Sequence, residues 1–214
     1  QMQSYELVYG ELSLPVLTTI LDAVGVFPGD RFLDVGSGDG ALVLGASLLY
    51  IDQDQNDSKA NKKNEKNKTR KNPIAAARGI EIVPGLYERS LEHKRKLDTM
   101  LLQKEVTAGE DINFWRKHQS PVEFYLGDIH KASSSDPKLT HILEDSTLVV
   151  CFATTWSAGN AKAEAGNSHK NNKNSSTNSL QGRKLPLLSK ALKGLPIGAR
   201  IVIVDGRLDA KDGH

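Results

Sequence analysis

Residues 32–41 have the sequence Phe32-Leu33-Asp34-Val35-Gly36-Ser37-Gly38-Asp39-Gly40-Ala41, and this stretch decides the fold. The apolar residues before the first glycine predict a strand, and the apolar residues after Gly40 predict a helix. Glycine has no Cβ, so a turn built from it can be tight and can let the backbone approach a ligand. A glycine turn between a strand and a helix is typical of nucleotide-binding sites.

Two kinds of nucleotide site share such a turn, and Asp34 separates them. Residues 36–41 satisfy the G-x-G-x-x-G/A pattern of dinucleotide sites. The strand of a dinucleotide site usually stays apolar up to the first glycine. An acidic residue two positions before that glycine is instead typical of S-adenosylmethionine (SAM) sites, where its carboxylate can hold the cationic amino-acid end of the cofactor. The sequence therefore favours a methyltransferase, with a nicotinamide cofactor or a purely structural turn as alternatives.

Composition excludes several other classes of protein. Cys151 is the single cysteine, so no internal disulfide can form and a reducing compartment is expected. The longest nearly apolar run, residues 41–51, is too short to span a bilayer, and no secretory signal is visible at the N-terminus. A formal net charge of +2 is too small to indicate nucleic-acid binding by itself. No metal is expected at the site.

The chain is predicted to be a single α/β domain over residues 1–214, interrupted by two insertions at about 52–73 and 158–184. Both insertions are rich in Asn and Lys and poor in apolar residues, so we expect them to be disordered. Strands alternating with helices predict a mostly parallel, Rossmann-like sheet with helices on both faces. Because the chain starts at Gln1 and stops soon after its fifth predicted strand, we expect a fragment that lacks C-terminal strands. The predicted strands are 32–35, 78–82, 122–126, 147–153 and 199–204, and the predicted helices are 15–24, 41–46, 86–106 and 185–195.

Acidic residues end two further predicted strands, on the edge where ligands of parallel sheets bind. Glu81 suits an acceptor for two ribose hydroxyls, and Asp128 could accept from the exocyclic amine of adenine. Forty-one residues separate Gly40 from Glu81, but without residues 52–73 the spacing falls to 19. That spacing is close to the roughly twenty residues of a nucleotide-binding unit. The alternative for either acid is a solvated loop charge.

Four segments together resemble a specific family: Tyr9-Gly10-Glu11-Leu12, residues 32–41, Gly79-Ile80-Glu81 and Gly127-Asp128-Ile129. They occur in the order found in the Dot-one (disruptor of telomeric silencing) histone H3 lysine methyltransferases, which have the class I SAM-dependent methyltransferase fold. The resemblance implies a nuclear enzyme that uses SAM and acts on histone H3 in the nucleosome core. It also implies the cofactor-binding residues: Tyr9, Gly10, Glu11 and Leu12 over the methionine part, Phe32, Asp34, Gly36, Ser37, Gly38 and Gly40 at the turn, Glu81 at ribose, and Asp128 with Ile129 at adenine.

The sequence departs from this family beside the reacting methyl group. The family typically carries Val-Asn-Asn-Phe there, whereas this chain has Thr154, Thr155 and Trp156 in place of the last three residues. Threonine hydroxyls still donate and accept hydrogen bonds, so a polar catalytic site is retained. The alternative is that the two threonines are only β-formers at a strand end. Methyl transfer from SAM needs alignment and desolvation of the acceptor lysine more than a strong base.

The basic insertions leave the partner open. Lysine and arginine outnumber acidic residues in both, so they could contact nucleosomal DNA without sequence preference. Low-complexity filler in surface loops is the alternative. Three functions therefore remain: a Dot-one type histone methyltransferase, a class I methyltransferase for another protein lysine or a small molecule, and a non-catalytic SAM- or chromatin-binding module.

Overall fold

The computed structural model describes residues 12–49, 73–107, 119–132, 135–152, 183–209 and 211. Five α-helices lie in these ranges, together with two 3-10 helices at Ile129–Lys131 and Leu192–Gly194. The helices are α1 (Leu14–Val24), α2 (Ala41–Leu48), α3 (Pro84–Thr107), α4 (Pro137–Glu144) and α5 (Pro186–Ala191). The strands are β1 (Asp30–Val35), β2 (Ile74–Glu81), β3 (Val122–Leu126), β4 (Leu148–Phe152), β5 (Arg183–Lys184), β6 (Arg200–Val204) and β7 (Gly206–Arg207).

Five of the strands form one parallel sheet in the order β3-β2-β1-β4-β6. The strand order reverses between β1 and β4, because β2 and β3 lie on one side of β1 and the later strands on the other. Open α/β sheets bind ligands at the carboxyl ends of the strands beside such a reversal. The predicted Rossmann-like α/β fold is therefore confirmed, and its reversal point is at the end of β1.

Helices cover both faces of this sheet. On one face, α1 and α2 pack on β1, β2, β3 and β4 around Phe32 and Val150, with Tyr87 and Leu91 of α3 at the margin. On the other face, α4 and α5 pack on Leu33 and Cys151. Within the described ranges, none of the helices has both the length and the apolar character required to cross a membrane.

An ion pair joins the outer strand β6 to the start of β1. Arg200 donates to both carboxylate oxygens of Asp30 at 2.5 Å, and Thr147 Oγ1 and the Phe27 N–H donate to the same carboxylate at 2.8 and 2.6 Å. Burial pushes the pKa of Asp30 up, but these donors together hold that pKa below its ordinary value. The network lies at the amino ends of the strands, on the edge opposite the ligand-binding edge.

The structure departs from the predicted elements in several places. Strand β2 begins at Ile74 rather than at Arg78, because Ile74, Ala76 and Ala77 pair with β1 despite the weak preference of alanine for strands, and the register shifts between Ile74 and Ala76. Helix α4 was not predicted, although Asp136 caps it by accepting from the N–H groups of Lys138 and Leu139. The 3-10 helix at 129–131 and strand β7 were also not predicted. Strand β7 pairs with β5, which consists of the last two residues of the second predicted insertion.

Candidate functional site

The glycine turn lies where β1 ends and α2 begins, at the reversal point of the sheet. Gly36, Gly38 and Gly40 have φ angles of +82°, +55° and +87°, which side chains rarely tolerate. The N–H groups of Gly36 and Ser37 donate to the carbonyl oxygen of Ile80 at 2.9 and 3.0 Å. Strand β2 therefore holds the first half of the turn through its backbone.

Glu81 holds the next residue of the turn through its side chain. Its Oε2 accepts from the Gly38 N–H at 2.7 Å, and its Oε1 accepts from the Val83 N–H at 2.8 Å. The residue is only 5% exposed. Each carboxylate oxygen can accept a second hydrogen bond, so the predicted contact with ribose hydroxyls remains chemically possible and stays a prediction.

Asp34 brings a second buried carboxyl group to this edge. It is 2% exposed, and it lies on β1 opposite Gly79 of the neighbouring strand. Burial raises the pKa of Asp34 to about 7, and the nearby negative charge of Glu81 adds to that rise. A cation placed beside Asp34 would favour its ionised form and lower its pKa again, so the site suits a positively charged ligand group.

Asp39 links the turn to the two helices beside it. Its Oδ1 accepts from the Ala41 N–H at 3.2 Å, at the first turn of α2. The ring nitrogen Nδ1 of His93 on α3 lies 3.2 Å from the Asp39 carbonyl oxygen and 3.5 Å from its Oδ2. Sequence reasoning missed His93, because nothing in its own neighbourhood points to the turn.

The underside of the turn is closely packed against β2 and β3. A Cβ at Gly79 would lie 2.6 Å from Oγ of Ser37 and 2.9 Å from the Phe124 ring. A Cβ at Gly40 would lie 2.5 Å from the same ring and 2.9 Å from Cβ of Ser90. The Ser37 hydroxyl is buried here without a hydrogen-bond partner among the described residues. The side chain of Ser37 therefore lies between the turn and the sheet.

The end of β3 supplies the third acidic residue. Asp128 Oδ1 accepts from the His130 N–H at 3.0 Å and so caps the 3-10 helix, and its Oδ2 lies 3.9 Å from Lys131 Nζ. Ile129 is 5% exposed and belongs to the core below. Asp128 keeps acceptor capacity for the predicted adenine contact, whereas Ile129 could contribute only through its backbone.

Several predicted site residues lie elsewhere or outside the described ranges. Phe32 is 0% exposed and its side chain packs among core residues below α1 and α2, and its predicted part in cofactor binding stays a prediction. Its neighbour in sequence, Leu33, points to the opposite face, as alternation along a strand requires. Leu12 also packs at the margin of this core. The predicted residues outside the described ranges are Tyr9, Gly10, Glu11, Thr154, Thr155 and Trp156.

Two exposed apolar side chains flank the acidic residues and were missed from the sequence. Ile82, directly after Glu81, is 58% exposed, and Leu126 at the end of β3 is 48% exposed. Both lie at the ligand-binding ends of neighbouring strands, since Glu81 and Leu126 are paired in register. An apolar residue beside a strand-terminal acid was the available signal, but the sequence predicted Ile82 to be the last residue of its strand. Among the described residues, His, Cys, Asp and Glu side chains nowhere form a group of three that could hold a metal ion.

The N-terminal part of the chain decides the comparison with known families. Residues 2–57 match the family model of the histone methylation protein DOT1. The DOT1 match spans Tyr9–Leu12, Asp34 and the whole glycine turn, and it confirms the resemblance over that range. Glu81, Asp128 and the residues around Thr154 lie beyond it.

Solved structures of low similarity accompany the DOT1 match. A SAM-dependent methyltransferase from Thiobacillus denitrificans, in complex with S-adenosyl-L-homocysteine, has 16% identity and a TM-score of 0.43, over 94% of this chain and 52% of that one. An RNA methyltransferase from Salinibacter ruber, in complex with the same compound, has 20% identity and a TM-score of 0.38, over 67% of this chain and 60% of that one. An rRNA methyltransferase from Streptomyces viridochromogenes has 14% identity and a TM-score of 0.46, over 91% and 74%. The chain thus spans only about half to two thirds of the first two structures. No curated protein sequence matches.

Proposed function

We propose that this chain is a SAM-dependent protein-lysine methyltransferase that acts on histone H3 in the nucleosome core. The observation that carries the proposal is the DOT1 family match, because it coincides with Asp34 and with the glycine turn. A location in the nucleus follows from the same proposal, since its substrate is nucleosomal.

The charge of the site supports SAM over a nicotinamide dinucleotide. Dinucleotide sites use N–H groups of the glycine turn to bind a pyrophosphate. Here the Gly38 N–H already donates to Glu81, and the buried Asp34 carboxyl lies nearby. Both acidic groups would repel a pyrophosphate, whereas they would attract the ammonium and sulfonium groups of SAM.

The residues at this edge match the parts of the cofactor by their chemistry. Asp34 is suited to the amino-acid end, and the free lone pairs of Glu81 are suited to ribose hydroxyls. The exposed Ile82 and Leu126 offer apolar surface for the flat faces of adenine, beside the acceptor Asp128. SAM supplies an activated methyl group when it is bound. The chain's own contribution is to orient the acceptor amine and to exclude water, and we assign that role to the segment of Thr154, Thr155 and Trp156.

A transfer assay tests the substrate. Purified protein and tritiated SAM are incubated with intact nucleosomes, with free histones or with total protein extract, and the labelled residue is identified. We expect label on a lysine of H3, more on nucleosomes than on free histones, and less label as salt is raised if the basic insertions contact DNA. The Asp34→Asn variant should lose the label, while the control Asp22→Asn, on an exposed position of α1, should keep it.

Each contrary outcome identifies a different function. Label on another protein lysine or on a small molecule, with unlabelled nucleosomes, would refute the histone substrate and leave a class I methyltransferase. Binding of SAM without any transfer would indicate a non-catalytic SAM- or chromatin-binding module. Absence of SAM binding would refute the proposal as a whole.

A further inference from the structure

Residues 36–39 of the glycine turn are held by contacts from outside the turn, and His93 supplies the contact at Asp39. The backbone of β2 holds Gly36 and Ser37, and the carboxylate of Glu81 holds Gly38. The next residue, Asp39, is contacted by the ring of His93 on α3. The turn thus has a continuous set of supports from β2 and from the helix that follows it.

The atoms around His93 define what its ring does. Nδ1 lies 3.2 Å from a carbonyl oxygen and 3.5 Å from a carboxylate oxygen of Asp39, and both of these atoms are acceptors. Nδ1 must therefore carry a proton and donate it toward Asp39. The His93 and Asp39 side chains are 34% and 17% exposed, so water competes only partly with this contact.

Asp39 passes this restraint to the start of α2. Its other carboxylate oxygen accepts from the Ala41 N–H, and α2 has no side-chain cap from Gly40, the residue at its N-cap. Movement of Asp39 would therefore disturb both the second half of the turn and the first turn of α2. These are the backbone groups that face a ligand at this edge of the sheet.

We propose that His93 is a positioning residue for the cofactor, which fixes Asp39 and thereby keeps the glycine turn in its binding conformation. The proposal rests on the proposed function, because it assigns His93 to the affinity for SAM rather than to methyl transfer. It also makes α3 part of the cofactor site, since the same helix begins directly after Val83, whose N–H binds Glu81.

The test uses three variants of the whole chain. His93→Ala removes the donor. His93→Asn restores one, because the amide nitrogen of asparagine is the same number of bonds from the backbone as Nδ1. His141→Ala removes an exposed histidine from α4 as a control. Calorimetry gives the affinity for SAM, saturation kinetics give KM and kcat, and hydrogen exchange of the amides of residues 38–42 is measured without ligand.

We expect His93→Ala to bind SAM about three- to tenfold more weakly, the range expected for loss of one hydrogen bond. KM for SAM should rise while kcat at saturation stays unchanged, and the turn amides should exchange faster. His93→Asn should return all three measurements toward wild type, and His141→Ala should change none. Equal losses in the Ala and Asn variants, or a lower kcat at unchanged affinity, would overturn the proposal.

The exchange measurement separates this proposal from the proposed function. If the wild-type chain bound no SAM, the proposed function would fail, and the exchange rates would still decide whether His93 holds the turn. If the wild-type chain bound SAM and the exchange rates of His93→Ala equalled those of wild type, His93 would have no positioning role.

Discussion

Replacing Asp34 by Asn should stabilise the protein and weaken its affinity for SAM at the same time. The pKa of Asp34 is raised from 3.8 to about 7 by burial and by the charge of Glu81. The folded state therefore binds a proton more tightly than the unfolded state, and stability falls as pH rises through this interval. A difference of about three pKa units corresponds to about 4 kcal/mol at 1.36 kcal/mol per unit.

The magnitude of the effect should depend on pH in a defined way. At pH 8 the wild-type protein carries the full cost of the ionised carboxylate, and Asp34→Asn should raise the free energy of unfolding by up to about 4 kcal/mol. Near pH 4 the carboxyl is protonated in the fold, so the two proteins should have similar stability. Urea denaturation without ligand at several pH values between 4 and 8 measures this difference.

Binding of SAM should show the opposite effect. Wild-type affinity should rise between pH 6 and pH 8, because the ionised form of Asp34 is the one that holds a cation. Asp34→Asn should bind at least about tenfold more weakly at pH 8, with little dependence on pH, since a charge-assisted hydrogen bond is lost. The exposed control Asp22→Asn should change neither stability nor affinity. A wild-type protein of constant stability from pH 4 to pH 8, or an Asn variant less stable at pH 8, would refute the reasoning.

Four further substitutions, one of them a control, test contacts in the fold by urea denaturation. Glu81→Gln should lower the free energy of unfolding by about 1–3 kcal/mol, because an amide group can accept from only one of the two backbone N–H groups that the carboxylate binds. Unchanged stability would contradict those contacts. Gly79→Ala should lower the free energy of unfolding by about 1–3 kcal/mol, because the added Cβ overpacks the core. The control Gly85→Ala in α3, whose Cβ would meet nothing within 4 Å, should raise it by about 0.5–1 kcal/mol. Equal effects of the two substitutions would refute the packing argument. Arg200→Gln should cost about 3 kcal/mol at pH 7 by leaving Asp30 buried without its cation. That cost should shrink as pH falls below 3.8, because without Arg200 the buried Asp30 carboxyl can take up a proton and lose its unpaired charge, and a cost independent of pH would argue against the ion pair.

The central part of the fold was predictable because its signals are local. Strand β1, the glycine turn and α2 follow directly from apolar runs around Gly36, Gly38 and Gly40, and β3 was predicted with its observed bounds. The start of β2 was not predictable from residue preferences, since Ala76 and Ala77 become strand only by pairing with neighbouring strands.

The chemistry of the site was predictable only in part. Glu81 was predicted to be a site residue from its place at a strand end, but its hydrogen bond with the Gly38 N–H depends on how two strands are placed side by side, which the sequence does not reveal. His93 reaches Asp39 from a helix 54 positions later in the chain, so no spacing rule could have indicated it. Phe32 was predicted at the cofactor because it adjoins the motif in sequence, and the structure places its side chain in the core, on the opposite face of the sheet from the side chain of Leu33.

The tight packing of Gly79 against Ser37 and Phe124 has a consequence for how related sequences can diverge. The glycines of the turn are required by their backbone angles, whereas Gly79 is required by the volume of two neighbouring side chains. A methyl group at position 79 becomes acceptable only when the side chains at positions 37 and 124 both leave it space, because Ser37 and Phe124 each lie closer than 3 Å to that Cβ. Positions 37, 79 and 124 should therefore vary together among homologues, with Ala at position 79 accompanied by smaller side chains at both positions 37 and 124. Evolution can exchange volume among these three positions, while the positive φ angles of the turn permit no such compensation.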